Sequence, residues 1–248
     1  MTQVRQPAWL RRFHQGSPHR PALLCFPHAG GSASSYVALS AALAPSAEVL
    51  AVQYPGRQDR LAEPPLTDMR ALARQLVPVI RDELDDRPYA CFGHSMGAAL
   101  AFEVTRQLEQ SGTGPVLLFA SGRRAPSVPI TDDVHRRDDA GLVAEVQRFD
   151  AASAQMLEHD VVRQMVLPAL RADYTANETY WCPPEQRVAC PVVALVGDDD
   201  PVTRVPDAQA WQAHTTATFL IRVFRGGHFF LNDRLDEVVD VMVPALIP

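Results

Sequence analysis

Gly93-His94-Ser95-Met96-Gly97 constrains this chain more than any other segment, because of what stands on either side of it. The apolar run Tyr89 to Phe92 predicts a strand directly before it, and Ala98 to Leu108 is built of strong helix formers directly after. A strand that becomes a helix across five residues leaves no room for a loop, so the turn is sharp and strained. The flanking glycines let backbone pass close to backbone where a Cβ would collide, and the serine between them is held out at the end of the strand. The helix behind it aims unpaired N–H groups and the positive end of a dipole at the same point. In this context the GxSxG pattern predicts that Ser95 is a nucleophile.

Elsewhere, short β-branched or apolar runs alternate with helical patterns, which predicts βα units around a mostly parallel sheet. Strands are expected at Ala22 to Phe26, Glu48 to Tyr54, Pro115 to Ala120, Pro191 to Val196 and Phe219 to Phe224. Between them, helices are expected at Tyr36 to Leu43, Asp68 to Leu84, Pro206 to His214 and Asp233 to Leu246. Leu72, Leu76, Val79 and Ile80 share one face of the second of these, with Thr67 or Asp68 as its cap. The rhythm stops between about 123 and 188. Two helical patterns fill that stretch, Asp138 to Phe149 and Ala151 to Tyr180, and Pro168 is expected to break the second into two helices. The expected fold class is therefore α/β, an α/β-hydrolase fold with a mostly parallel central sheet flanked by helices. Residues 1–248 are expected to form a single domain carrying an inserted helical lid; at 47% hydrophobic composition, the chain can bury one sizeable core.

A serine hydroxyl is a weak nucleophile at neutral pH, so a histidine must take its proton and a carboxylate must orient that histidine. In α/β hydrolases the three follow in the order Ser, Asp or Glu, His. Gly197-Asp198-Asp199-Asp200-Pro201 follows one expected strand and Gly226-Gly227-His228-Phe229 follows the last, which makes His228 the base. Of the consecutive aspartates, the GxxD spacing before a proline favours Asp200, with Asp198 as the alternative. His28 and His94 are read as shaping their turns. The developing negative charge needs amide donors already in place. Met96, next to the nucleophile, supplies one. The turn Pro27-His28-Ala29-Gly30-Gly31-Ser32 supplies the other through Ala29, unless it is only a glycine bend.

Composition narrows the alternatives. A net charge of −6 gives no general reason to expect nucleic-acid binding. Arg5, Arg11 and Arg12 are followed by no apolar segment, and no stretch reaches the roughly 18 apolar residues of a spanning helix, so neither export nor membrane insertion is expected. Cys25, Cys91, Cys182 and Cys190 lack metal or disulfide-scaffold spacing and fit reduced thiols in a cytoplasmic protein.

Across nearly its whole length the chain resembles the stand-alone type II thioesterases that accompany polyketide synthases and nonribosomal peptide synthetases. The resemblance rests on Cys25-Phe26-Pro27-His28-Ala29-Gly30-Gly31-Ser32, Gln53-Tyr54-Pro55-Gly56-Arg57, the pentapeptide around Ser95, Gly197 to Pro201, and Gly226 to Phe229. It implies hydrolysis of acyl groups from the phosphopantetheine arm of acyl or peptidyl carrier proteins, which clears stalled or wrongly loaded chains. It also implies Ala29 and Met96 as oxyanion donors, a lid bordering the channel for the arm, no cofactor or metal, and a monomer.

Within the lid, Phe149, Met156, Leu157, Met165, Tyr174, Tyr180 and Trp181 are candidates for lining that channel, with ordinary packing onto the core as the competing assignment for each. Arg123-Arg124 and Arg136-Arg137 are candidates for meeting an acidic carrier or the phosphate of the arm, against a solvated surface role. A plain esterase or acyltransferase, and a carrier-binding module without turnover, are the rival functions.

Overall fold

The computed structural model describes residues 9–16, 20–149 and 151–246; Arg5 lies outside them. Seven strands form one sheet: β1 Leu10–Arg11, β2 Ala22–Phe26, β3 Glu48–Val52, β4 Tyr89–His94, β5 Leu117–Ser121, β6 Val192–Gly197 and β7 Phe219–Phe224. Their spatial order is β1-β3-β2-β4-β5-β6-β7. Only β1 runs antiparallel, against β3. Two residues are too few to carry a visible period, and β1 was not expected from the sequence.

The central strands read as unbroken apolar runs because both faces of the sheet are covered. Along β2, Leu24 and Phe26 face one buried cluster, while Leu23 and Cys25 face the other. Helices α2 (Met69–Leu84) and α3 (Met96–Gln110) close the first side, with Leu72, Leu76 and Ile80 fully in the core. Helices α1 (Val37–Leu43) and α9 (Leu235–Leu246) close the second through Leu39, Leu43, Val238 and Met242. Each such side chain contributes roughly 1.5–3 kcal/mol by burial, which outweighs the low propensity that Pro78 brings to α2. Asp68 caps α2, accepting the Ala71 N–H at 2.6 Å.

Between β5 and β6 the chain forms α4 (Asp139–Phe149), α5 (Ala151–Met156) and α6 (Asp160–Thr179). Pro168 does not break the last of these; the break falls at 157–159. The prolines inside α2, α6 and α9, namely Pro78, Pro168 and Pro244, are all exposed, and so are Arg74, Gln164 and Asp240 four residues before them. A carbonyl freed on the wet side of a helix is satisfied by solvent, so proline is tolerated there. Two further elements differ in make-up from the sequence reading. The expected 206–214 helix is α7 (Val205–Gln209) continued by a 3₁₀ turn, and the final helix is preceded by the short α8 (Phe230–Asp233). Among the described residues no helix is long and apolar enough to cross a membrane.

The order of connections positions the site. From β2 the chain crosses to β3 on one side and returns to β4 on the other, so β2 has a neighbour on each side. The loops leaving the carboxyl ends of β2 and β4 therefore diverge and leave a crevice, the usual ligand position in a parallel sheet.

Candidate active site

Ser95 stands at that crevice with φ 55° and ψ −120°, a strained backbone for a residue with a Cβ. The turn is held by the Ser95 N–H donating to Ser121 O at 2.8 Å. Its glycines are required by close approach. A Cβ on Gly97 would sit 1.9 Å from Phe26 O, and one on Gly93 would sit 2.2 Å from Gly97 O. His94, beside the serine, is buried with Nδ1 2.9 Å from Ser121 Oγ, and its ring lies 5.0 Å from that of His228 and 5.4 Å from that of Phe229. Burial first, and then the neighbouring His228 and His28, push its pKa well below the ordinary 6.5, so it is a neutral packing element at neutral pH.

His228 and Asp200 meet although they come from the ends of different strands. His228 Nδ1 lies 2.9 Å from Asp200 Oδ2, and each residue is 7% exposed. The other carboxylate oxygen of Asp200 accepts the N–H groups of Val202 at 2.8 Å and Thr203 at 3.1 Å, which fixes its plane. Asp198 does a different job: its Oδ1 accepts the Gly226 N–H at 2.9 Å and ties the two loops together. With Nδ1 turned to a carboxylate, the hydrogen-bond pattern assigns the proton to Nδ1 and leaves Nε2 as the basic nitrogen. Among the described hydrogen bonds none joins Ser95 Oγ to His228; in free hydrolases this contact commonly tightens only when substrate arrives.

Ser95, His228 and Ala29 line one cavity of about 640 Å³ beneath the insertion. Among the described residues the N–H groups of Ala29 and Met96 have no hydrogen-bond acceptor. Met96 is the first residue of α3, where the helix has no internal partner for its amide.

The lid candidates divide. Phe149, Met156, Leu157 and Tyr174 line the cavity, with Phe149 5.3 Å from the His228 ring. Met156 is also 61% exposed, which puts it at the mouth. Met165 points to solvent at 47% exposure. Tyr180 is buried in the main core, its Oη donating to Glu103 at 3.0 Å, because a buried phenol needs an acceptor and α3 offers one. Trp181 lies outside the cavity lining, its indole donating to Ser127 O at 3.2 Å.

The arginine pairs also differ from a shared surface patch. Arg123 is buried and donates to Asn177 Oδ1 at 2.6 Å, with its pKa lowered to about 10 chiefly by burial. Arg124 donates to Val202 O at 2.6 Å and braces the loop of Asp200. Arg137 pairs with Glu145 at 2.9 Å, and Arg136 with Asp133 at 3.6 Å. Sequence reasoning passed over Thr203 and Asp173. The first needs the fold to be seen; the second is an acid on the buried stripe of α6, among Leu170, Ala176 and Asn177, and such a residue demands a partner.

The sequence profile of the thioesterase domain family matches residues 21–245. The chain is 52% identical over 244 residues to a probable cadicidin biosynthesis thioesterase of Streptomyces griseus, an alignment covering 97% of this chain and 66% of that protein. It is 46% identical over 231 residues to thioesterase PikA5 of Streptomyces venezuelae, covering 93% of this chain and 82% of that one. Among solved structures, the type II thioesterase BorB from the borrelidin biosynthetic cluster superposes with a TM-score of 0.90 at 45% identity, covering 98% of this chain and all (100%) of that one. YbtT, a type II thioesterase from the yersiniabactin NRPS/PKS pathway, does so with a TM-score of 0.89 at 28% identity, covering 97% and 100%.

Proposed function

We propose, from the premise that this chain belongs to the thioesterase domain family and stands among its type II members, that it hydrolyses acyl thioesters carried on the phosphopantetheine arm of carrier proteins through Ser95, His228 and Asp200. The observation that carries this reading is the pairing of Asp200 with His228, which lines the same cavity as Ser95. The Ser95 hydroxyl attacks the thioester carbonyl while His228 Nε2 takes its proton. Asp200 holds the ring and stabilises the imidazolium. The carbonyl oxygen becomes an alkoxide, which the N–H groups of Ala29 and Met96 receive, with the amino end of α3 adding its dipole.

Collapse of this intermediate expels the pantetheine sulfur, which takes the proton from His228 and leaves as a thiol. The acyl group remains on Ser95 Oγ as an ester. A water then gives its proton to His228 and attacks the ester carbonyl, and the carboxylic acid leaves as Ser95 recovers its hydrogen. A thiol leaves readily, so attack and oxyanion stabilisation supply most of the rate enhancement.

The cavity of about 640 Å³ falls in the range that holds drug-sized ligands and accommodates an acyl chain with the end of the arm. The insertion acts as its lid, with Phe149, Met156, Leu157 and Tyr174 facing the chain. The four buried free cysteines suit a reducing cytoplasm, where the enzyme works as a monomer beside the synthase that loads the carriers. Hydrolysis of an acyl-carrier protein, the matching acyl-CoA and a simple ester of the same acid tests the proposal. The carrier substrate is expected to give the highest kcat/KM, and a preference for the plain ester with no turnover of the loaded carrier contradicts it.

A further inference from the structure

The loop that carries Ala29 is held by side chains from outside it on both sides of that residue. Tyr36 Oη donates to Phe26 O at 2.6 Å, and Tyr54 Oη donates to Pro27 O at 3.0 Å. Gly30 N–H donates to Asp173 Oδ2 at 2.8 Å, Arg57 Nη1 donates to Gly31 O at 2.9 Å, and Ala33 N–H donates to Gln53 Oε1 at 3.0 Å. Ala29, in the middle, is left with its amide free of any acceptor among the described residues, in a wall of the cavity that Ser95 lines.

Two of these holds meet in one ion pair. Asp173, on α6, receives Arg57 Nη1 on Oδ2 at 2.7 Å and Arg57 Nη2 on Oδ1 at 2.8 Å, a two-pronged geometry. Asp173 is 2% exposed and Arg57 8%. Burial opposes the charge on Arg57, but the Asp173 carboxylate outweighs it and holds the guanidinium pKa above its ordinary value. Packing of α6 against the same place is an independent observation. A Cβ on Gly30, whose φ is +76°, would lie 2.9 Å from Leu170 Cδ1, and one on Gly56, whose φ is +82°, would lie 3.4 Å from Ala169 Cβ. Leu170 and Ala169 stand one turn before Asp173 on that helix.

From this geometry we infer that Asp173, clasped by Arg57, is a positioning residue that fixes the Ala29 amide for the oxyanion. It ties α6 to the loop after β2, so this helix of the insertion is a stationary wall joined to the chemistry. The inference rests on the Ser95 reading. Asp173 touches neither Ser95 nor His228; it acts by pinning the peptide that follows Ala29 and, through Arg57, the carbonyl of Gly31.

The double variant Asp173→Leu with Arg57→Met tests it, because removing both charges leaves no buried ion unpaired and such replacements often keep stability. Its melting temperature is expected to stay near the parent's. Its kcat on an acyl thioester is expected to fall on the order of 100-fold, the size of effect a displacement of about 1 Å brings, with KM within about threefold. Affinity for an alkyl trifluoromethyl ketone, which forms a tetrahedral adduct on a catalytic serine, should fall in parallel with kcat. Should the pair fail to fold, Arg57→Lys keeps the charge but loses the fork, and a smaller drop in kcat with unchanged KM is expected. Parent-like kcat and ketone affinity in a folded variant overturn the inference. Ser95→Ala, run alongside, separates the two claims: loss of turnover there with parent rates in the double variant removes only the role of Asp173, whereas retained turnover in Ser95→Ala removes both.

Discussion

The rim of the sheet and the insertion above it are built by opposite rules. At the rim, Ser95, His228 and Asp200 sit on short turns between two large apolar clusters, braced by backbone hydrogen bonds from Ser95 N–H to Ser121 O, Asp199 N–H to Gly226 O and Phe230 N–H to Gly227 O. Among the described residues, the insertion has a small buried cluster of its own at Val134, Leu142, Leu167 and Leu170, and it leaves Met156, Val161 and Met165 exposed. Close packing fixes atoms to a fraction of an ångström, which acyl transfer needs, whereas exposed, flexible side chains such as Met156 at the cavity mouth adjust to what enters. The two regions meet at Asp173 and Arg57, where the insertion reaches into the rim.

Substitutions on either side of that divide should therefore behave differently. The largest effect belongs to the rim. Asp200→Asn leaves the packing intact but reverses the hydrogen-bond preference at His228 Nδ1, and kcat is expected to drop by about 10⁴ with KM little changed. Steady-state kinetics check it, and a loss of tenfold or less would mean another carboxylate orients the ring.

A smaller effect of a different kind belongs to the insertion. Met156→Ala at the cavity mouth should change kcat/KM for long acyl chains by about tenfold, leaving short chains and the melting temperature unaffected. A competition assay over a chain-length series reads this out. Equal losses for all chains would show that Met156 bears on the chemistry rather than on selection.

The smallest effect is on stability. Because the folded state holds His94 below the ordinary 6.5, the unfolded chain binds more protons as the pH falls through that value, and stability declines below it. His28 and His228 face the same ring and add like charge when protonated. His94→Asn, which keeps a hydrogen-bonding group for Ser121, should flatten the decline between pH 7 and pH 5 in denaturant titrations. An unaltered slope would place the acid sensitivity elsewhere, with the buried His214 as the next group to vary.

The rim was more legible in the sequence than the insertion, for a physical reason. The elbow at Ser95 is local: strand, two glycines and helix lie within one short segment, and their steric demands appear in residue types. The choice between Asp198 and Asp200 was not local. It depends on which carboxylate faces the turn after β7, where Asp198 ties down Gly226 and Asp200 reaches His228. In the insertion, helical patterns reveal helices but not which apolar side chain faces cavity, core or water, so Tyr174, Tyr180 and Met165 could not be told apart. Pro168 misled because the break it favours is avoided by turning its ring to solvent. The contact between Arg57 and Asp173 spans 116 positions, beyond the reach of any local pattern.

The most direct test follows the acyl group. Mixing the protein with an acyl-carrier substrate, quenching in acid within the first turnover and mapping the mass increase should place the acyl group on Ser95. Ser95→Ala should carry no adduct and lose turnover by about 10⁶. An adduct on another residue, or turnover in Ser95→Ala within tenfold of the parent, would contradict the account.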